Sequence, residues 1–112
     1  RAPKKIAEKL VELGKTYQTV GLESFAGNIL RESLKIYPTP EAHIRLAYHY
    51  AEISPYLRWS VIRNQVFKHL KRAEQMVPPN SVLATQIRDL KKLMNYRIRV
   101  EALEANYFKN RR

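Results

Sequence analysis

Leu13-Gly14-Lys15-Thr16-Tyr17 lies inside a helical pattern that runs from residue 7 to Pro38. Glycine in a helix interior costs about 0.5–1 kcal/mol relative to alanine, so Gly14 predicts that a second helix passes close to the backbone at that point. Around it Ile6, Leu10, Leu13, Tyr17 and Val20 recur at spacings of four, three, four and three, which reads as one apolar helical stripe. Pro3 suits its first turn, and Gly21 closes it. A second helix is expected from Leu22 to Tyr37, with Phe25, Ile29, Leu30, Leu34 and Tyr37 on its buried side. Pro38-Thr39-Pro40 then stops the helix, and so short a loop makes the next helix an antiparallel neighbour.

Working outward, a third helix opens at Pro40 or Glu41 and carries Ile44, Leu46, Ala47, Tyr48 and Tyr50. Ile53-Ser54-Pro55 ends it, with Ser54 as the N-cap and Pro55 in the first turn of the next helix. From Pro55 to Val77 the stripe Trp59, Ile62, Val66, Leu70, Ala73, Val77 is unbroken, so the fourth helix is expected to be longer than the second. Pro78-Pro79-Asn80 breaks it. A fifth helix is expected from near Ser81 through Leu83, Ile87, Leu90, Met94, Ile98, Ala102, Ala105 and Phe108, a rod without Gly or Pro. No stretch alternates with period two for long enough to suggest a strand, so the predicted class is all-α.

Residues 7–38 resemble a tetratricopeptide repeat (TPR), whose helix pair follows a W-x2-L-G-x2-Y, A-x3-F, P pattern. Leu10 stands at the Trp position, Leu13-Gly14 at the Leu-Gly pair and Tyr17 at the Tyr. Ala26 takes the small position of the second helix, Leu30 that of Phe, Ser33 the next small position and Pro38 the terminal Pro. A second copy fits residues 40–78, with Leu46-Ala47 and Tyr50 in the first helix and Val66, Leu70 and Ala73 in the second, provided that seven extra residues lengthen the second helix. Seven residues are close to two helical turns and leave the buried face where it was. Residues 80–109 do not complete a third repeat, because Ile87 or Arg88 occupies the small position; they resemble the atypical helix that caps a stack. The resemblance thus implies one domain over 1–112: two antiparallel helix-turn-helix pairs and a long C-terminal capping helix, of the right-handed α-solenoid type.

At 112 residues the chain has the length of one domain with a modest core. Without cysteine it has no disulfide scaffold and no thiolate metal or redox site. No apolar run approaches the roughly 20 residues that span a bilayer, and the start at Arg1 rather than Met suggests a domain or processed form of a larger protein. The formal charge of +11 is lopsided: residues 1–55 hold eight Lys/Arg and six Asp/Glu, residues 56–112 thirteen and four. Such a half suggests an acidic protein partner, nucleic acid or an anionic membrane, against the plainer reading of a solubilising surface.

The TPR resemblance implies ligand binding on the concave face of each pair's first helix. By motif position that face shows Val11, Lys15, Gln18, Ile44, Arg45, Tyr48 and Glu52, to which the cap would add Arg88, Lys91 and Lys92. These residues predict a basic-apolar groove for a protein or peptide, preferably an acidic one. The carboxylate clamp of chaperone-binding members is not reproduced, since Val11 and Lys15 stand where its Lys-Asn pattern begins. Trp59, Leu103, Tyr107 and Phe108 are candidates for a contact with another domain or a second copy, although for Trp59 packing on the last helix is the preferred reading. Lys68, Lys71 and Arg72 share a face of the fourth helix, which keeps open a platform for nucleic acid or anionic lipid. Catalytic, cofactor and metal residues are expected to be none: His43, His49 and His69 form no i,i+4 pair, and Gly14, Gly21 and Gly27 form no phosphate loop. The remaining alternative is an accessory domain of a larger enzyme, itself without a catalytic role.

Overall fold

The computed structural model describes residues 2–53 and 59–110, and of Trp59 and Ser60 the backbone alone. These residues form five α-helices: α1 (Ala2–Thr19), α2 (Glu23–Ile36), α3 (Pro40–Glu52), α4 (Trp59–Gln75) and α5 (Val82–Asn110). The breaks fall where the turn residues predict. Gly21 adopts φ 83°, the left-handed conformation that alanine tolerates poorly. Its N–H bonds to the Gln18 carbonyl at 3.1 Å and that of Leu22 to the Tyr17 carbonyl at 2.9 Å, the paired closure of a Schellman turn. Thr39 caps α3 through its hydroxyl, which accepts from the Ala42 N–H at 3.3 Å, with Pro40 in the first turn. Ser81 caps α5 in the same way, its Oγ accepting from the Ala84 N–H at 3.1 Å. The fourth helix ends at Gln75 rather than Val77. Its expected beginning at Ser54 and Pro55 lies outside the described residues.

The core is in two parts joined by α3. Val11, Leu30, Ala42 and Leu46 form one part between α1, α2 and α3. Ile44, Ala47 and Ala51 of α3, with Ile62, Val66, Leu70 and Ala73 of α4 and Ile87, Leu90 and Met94 of α5, form the other. Helix α3 is covered on most sides, which is why even His43 and His49 are buried on it. The Arg97 guanidinium reaches the carbonyl of Ala51 at 3.4 Å and ties α5 to the end of α3. Beyond Met94 no described residue of α5 is buried, so the distal half of this helix, about 43 Å long in all at 1.5 Å per residue, projects and stretches the molecule to 59 × 32 × 20 Å.

The structure corrects the predicted buried face of the first helix pair. Ala7, Val11 and Gly14 are the buried residues of α1, whereas Ile6, Leu13 and Val20 of the expected stripe are 50%, 40% and 62% exposed. On α2 the buried residues are Ala26, Gly27, Leu30 and Ser33, while Phe25 and Tyr37 are exposed. The reason is close approach. Ser33 donates its hydroxyl hydrogen to the Ala7 carbonyl at 2.8 Å, and a Cβ on Gly14 would stand 2.8 Å from Leu30 Cγ. Small side chains line the closest approach, Leu30 fills the space that Gly14 leaves, and Ile6, Leu13, Val20 and Phe25 turn to the outer side. There Tyr17 and Phe25 pack ring against ring at 5.7 Å.

A groove lined by α1, α3 and α5

Each of three helices turns one stripe into a shared groove of about 500 Å³. Helix α1 supplies Val11, Glu12 and Lys15; α3 supplies Glu41, Ile44, Arg45 and Tyr48; α5 supplies Leu83, Gln86, Asp89, Leu90 and Leu93. The spacings of three and four within each set are those of one helix face. The Arg45 guanidinium lies 5.7 Å from the Tyr48 ring centroid, a cation–π contact that stiffens two long side chains at the wall. Gln18 pins α1 to α3 behind them, its amide donating to the Arg45 carbonyl at 3.1 Å, while its Oε1 is buried without a hydrogen-bond partner.

The groove therefore gathers Val11, Lys15, Ile44, Arg45 and Tyr48 of the expected face and leaves out Gln18, Glu52, Arg88, Lys91 and Lys92. With Ile87, Leu90 and Met94 aimed at the core, a turn of about 100° per residue sends Gln86 and Leu93 to one flank of α5, Lys91 and Arg88 to the other side, and Lys92 to the back. Lys91 meets Glu74 of α4 at 2.9 Å, and Arg88 donates to the Thr85 hydroxyl at 3.2 Å. Lys92 is exposed. The lining consequently holds Glu12, Glu41 and Asp89 against Lys15 and Arg45. Glu12 is spent on Lys15 at 3.3 Å, whereas none of the ion pairs among the described residues involves Glu41 or Asp89. The groove is thus mixed in charge and slightly acidic, not basic.

The other candidates lie apart from it. Leu103 and Phe108 are 66% and 67% exposed on the projecting half of α5, where Tyr107 packs edge-on against Phe108 at 5.4 Å. The side chain of Trp59 lies outside the described residues. Among the described residues no three His, Asp or Glu side chains converge as metal ligands, and no helix is long and apolar enough to cross a membrane.

Two histidine contacts escaped the periodicity, because each joins residues 26 apart on different helices. His49 Nδ1 meets Glu23 Oε2 at 2.8 Å and ties α3 to the start of α2. His43 and His69 bring their Nδ1 atoms to 2.9 Å, so one ring must donate and the other accept. The pair therefore holds a single proton between the two nitrogens. Burial pushes the His69 imidazole down to about 4, helped by His43, Lys68, Arg72 and Arg31. Burial lowers His43 too, with Arg72 and Lys68 adding to it. The unfolded rings, near 6.5, bind more protons than the folded pair between those values. Stability is then unaffected by the pair above about pH 7 and falls as the pH drops through about 6.5 towards 4. Urea midpoints at about pH 7 and pH 5 are expected to fall further for the native chain than for His69→Gln, which lacks the titrating ring.

No family model, curated protein or solved structure matches the chain.

Proposed function

We propose that this protein is a non-catalytic helical-repeat interaction module of the tetratricopeptide kind, which receives an extended segment of a partner protein in the groove between α1, α3 and α5. The convergence of three helix faces on that groove carries the reading: Val11, Ile44, Leu83, Leu90 and Leu93 supply apolar wall, and Arg45, Glu41 and Asp89 supply orienting charge. Apolar side chains seated there contribute about 1.5–3 kcal/mol each, and charges near them set direction and register. The kinship with the repeat family is supported by the small residues Ala7, Gly14, Ala26, Ala47 and Ala73, all buried where helices meet. It is also supported by the outer apolar face of α1 and α2, which is the kind of surface that a further repeat covers in a stack. The lining charge alters the preferred partner. A segment with apolar anchors and a basic residue, opposite Glu41 and Asp89, suits the groove better than the acidic peptide inferred from net charge.

Selection from a displayed random-peptide library tests the reading. Enriched peptides are expected to carry apolar residues and at least one Lys or Arg. Their affinity is expected to fall about tenfold or more, equivalent to 1.4 kcal/mol, for Glu41→Lys/Asp89→Lys, which reverses the charge that faces the peptide's cation. Enrichment that this variant leaves unchanged contradicts the assignment of the groove.

A further inference from the structure

The other side of α3 carries a cluster of cations that the groove lacks. A second pocket of about 350 Å³ opens between α2, α3 and α4, and its lining includes Arg31, Lys35, Lys68 and Arg72 with no carboxylate. The two cations of α2 are four residues apart, as are the two of α4, so two like-charged pairs confront one another. Each such pair weakens its own helix by about 0.2–0.5 kcal/mol, and bringing both to one pocket adds repulsion between helices. Among the described residues outside this pocket, Lys15 is paired with Glu12 and Lys91 with Glu74. Here only Lys35 has an acidic partner, Glu32 at 3.4 Å in an exposed pair, and neither Lys68 nor Arg72 has one among the described residues.

The pocket is also shaped and furnished for an anion. Arg31 is held by Asn28 Oδ1 at 2.8 Å and the Tyr50 hydroxyl at 3.3 Å, which orients a guanidinium with further N–H donors to spare. Tyr50 lies flat on the His69 ring, the centroids 5.8 Å apart and the planes 9° from parallel. His69 and His43 line the same space, and their rings can add a donor or a proton when negative charge arrives. We propose that this pocket binds a multiply charged phosphate group, held by Arg31, Lys35, Lys68 and Arg72 above the His43–His69 pair. Such a ligand relieves the confrontation of cations that otherwise stands unanswered. It also removes part of the cause that keeps the two rings neutral, so binding is coupled to proton uptake. The charged groups that face the rings are Arg31 and Lys35 from α2 and Lys68 and Arg72 from α4, with Glu32 beside Lys35.

Inorganic pyrophosphate is the first probe, titrated calorimetrically into the full chain at about 0.15 M salt, where screening of exposed charges has a length of about 8 Å. Saturable binding is expected, weakened about tenfold or more in Lys68→Gln/Arg72→Gln and unchanged in Arg88→Gln/Lys92→Gln, which removes equal charge outside the pocket. All four side chains are exposed, so both variants keep the fold. The His69 imidazole, followed by NMR, is expected to titrate at higher pH in the bound protein. Absence of saturable binding, equal loss in the two variants, or an unmoved His69 titration overturns the proposal. Phosphatidylcholine vesicles with and without phosphatidic acid separate the sources of the group. Sedimentation with the acidic vesicles that Lys68→Gln/Arg72→Gln abolishes assigns a lipid headgroup, and pyrophosphate binding without it assigns a free phosphate.

Discussion

Leu30→Ala is expected to destabilise the protein by about 2–5 kcal/mol, the range for emptying a leucine site in a packed core, and to reverse the effect of adding a methyl group at Gly14. Leu30 is fully buried and joins Val11, Ala42 and Leu46 at the meeting of α1, α2 and α3. A Cβ on Gly14 would lie 2.8 Å from both Cγ and Cδ2 of Leu30. Because Cγ is the branch point, turning the end of the leucine does not clear the contact, and α1 or α2 must shift. Gly14→Ala alone is therefore expected to cost about 1–3 kcal/mol, against which the helix propensity of alanine returns only about 0.8–1.0 kcal/mol. In the Leu30→Ala background the obstacle is gone, and the same Gly14→Ala change is expected to stabilise. Urea denaturation of the four proteins measures the cycle. Equal effects of Gly14→Ala in both backgrounds would show that Gly14 has no part in helix approach.

Gly27→Ala is expected to be destabilising by a similar margin, about 1–3 kcal/mol, although the position is helical. Its Cβ would lie 2.5 Å from His49 Nε2, 2.8 Å from Cε1 and 3.1 Å from Cδ2. The His49 ring is 4% exposed, bonded through Nδ1 to Glu23 at 2.8 Å and set edge-on against Tyr50 at 5.3 Å. It is a rigid plate without a free direction of retreat, so either the Glu23 contact or the approach of α2 to α3 must yield. A urea midpoint raised by Gly27→Ala would mean that the ring moves aside at little cost.

These two glycines mark how far the sequence could be read. Gly14 was legible because it breaks a strong helical pattern beside Leu13 and Tyr17, and the cost of such a residue demands a close neighbour. Gly27 was not, since the small residue beside it, Ala26, already satisfied the pattern and the ring that presses on Gly27 comes from α3. The helix breaks were legible from Gly21, Pro38-Thr39-Pro40 and Pro78-Pro79-Asn80, whose backbone chemistry is local. The buried face of α1 was misread, because hydrophobicity alone favours Ile6 and Leu13, whereas the closeness of α2 admits only Ala7, Val11 and Gly14. In the groove, the contributions of α1 and α3 followed from motif position. Those of α5 did not, because its rotation is set by Ile87, Leu90 and Met94 packing on α3 and α4, a tertiary choice. The same rotation took Arg88, Lys91 and Lys92 away. Charge counting placed the imbalance in the C-terminal half and on one face of α4, but it did not show that Arg31 and Lys35 of α2 share a pocket with Lys68 and Arg72.

The groove competes with two other exposed apolar surfaces for the role of binding site: the outer side of α1 and α2 and the projecting half of α5. Amide and methyl chemical-shift mapping with the tightest peptide from the library selection distinguishes them directly. The account predicts that the largest changes fall on Val11, Ile44, Tyr48, Leu90 and Leu93, which three separate helices bring to one groove. Changes confined to Ile6, Leu13 and Phe25, or to Leu103 and Phe108, with the groove residues unmoved, would contradict it.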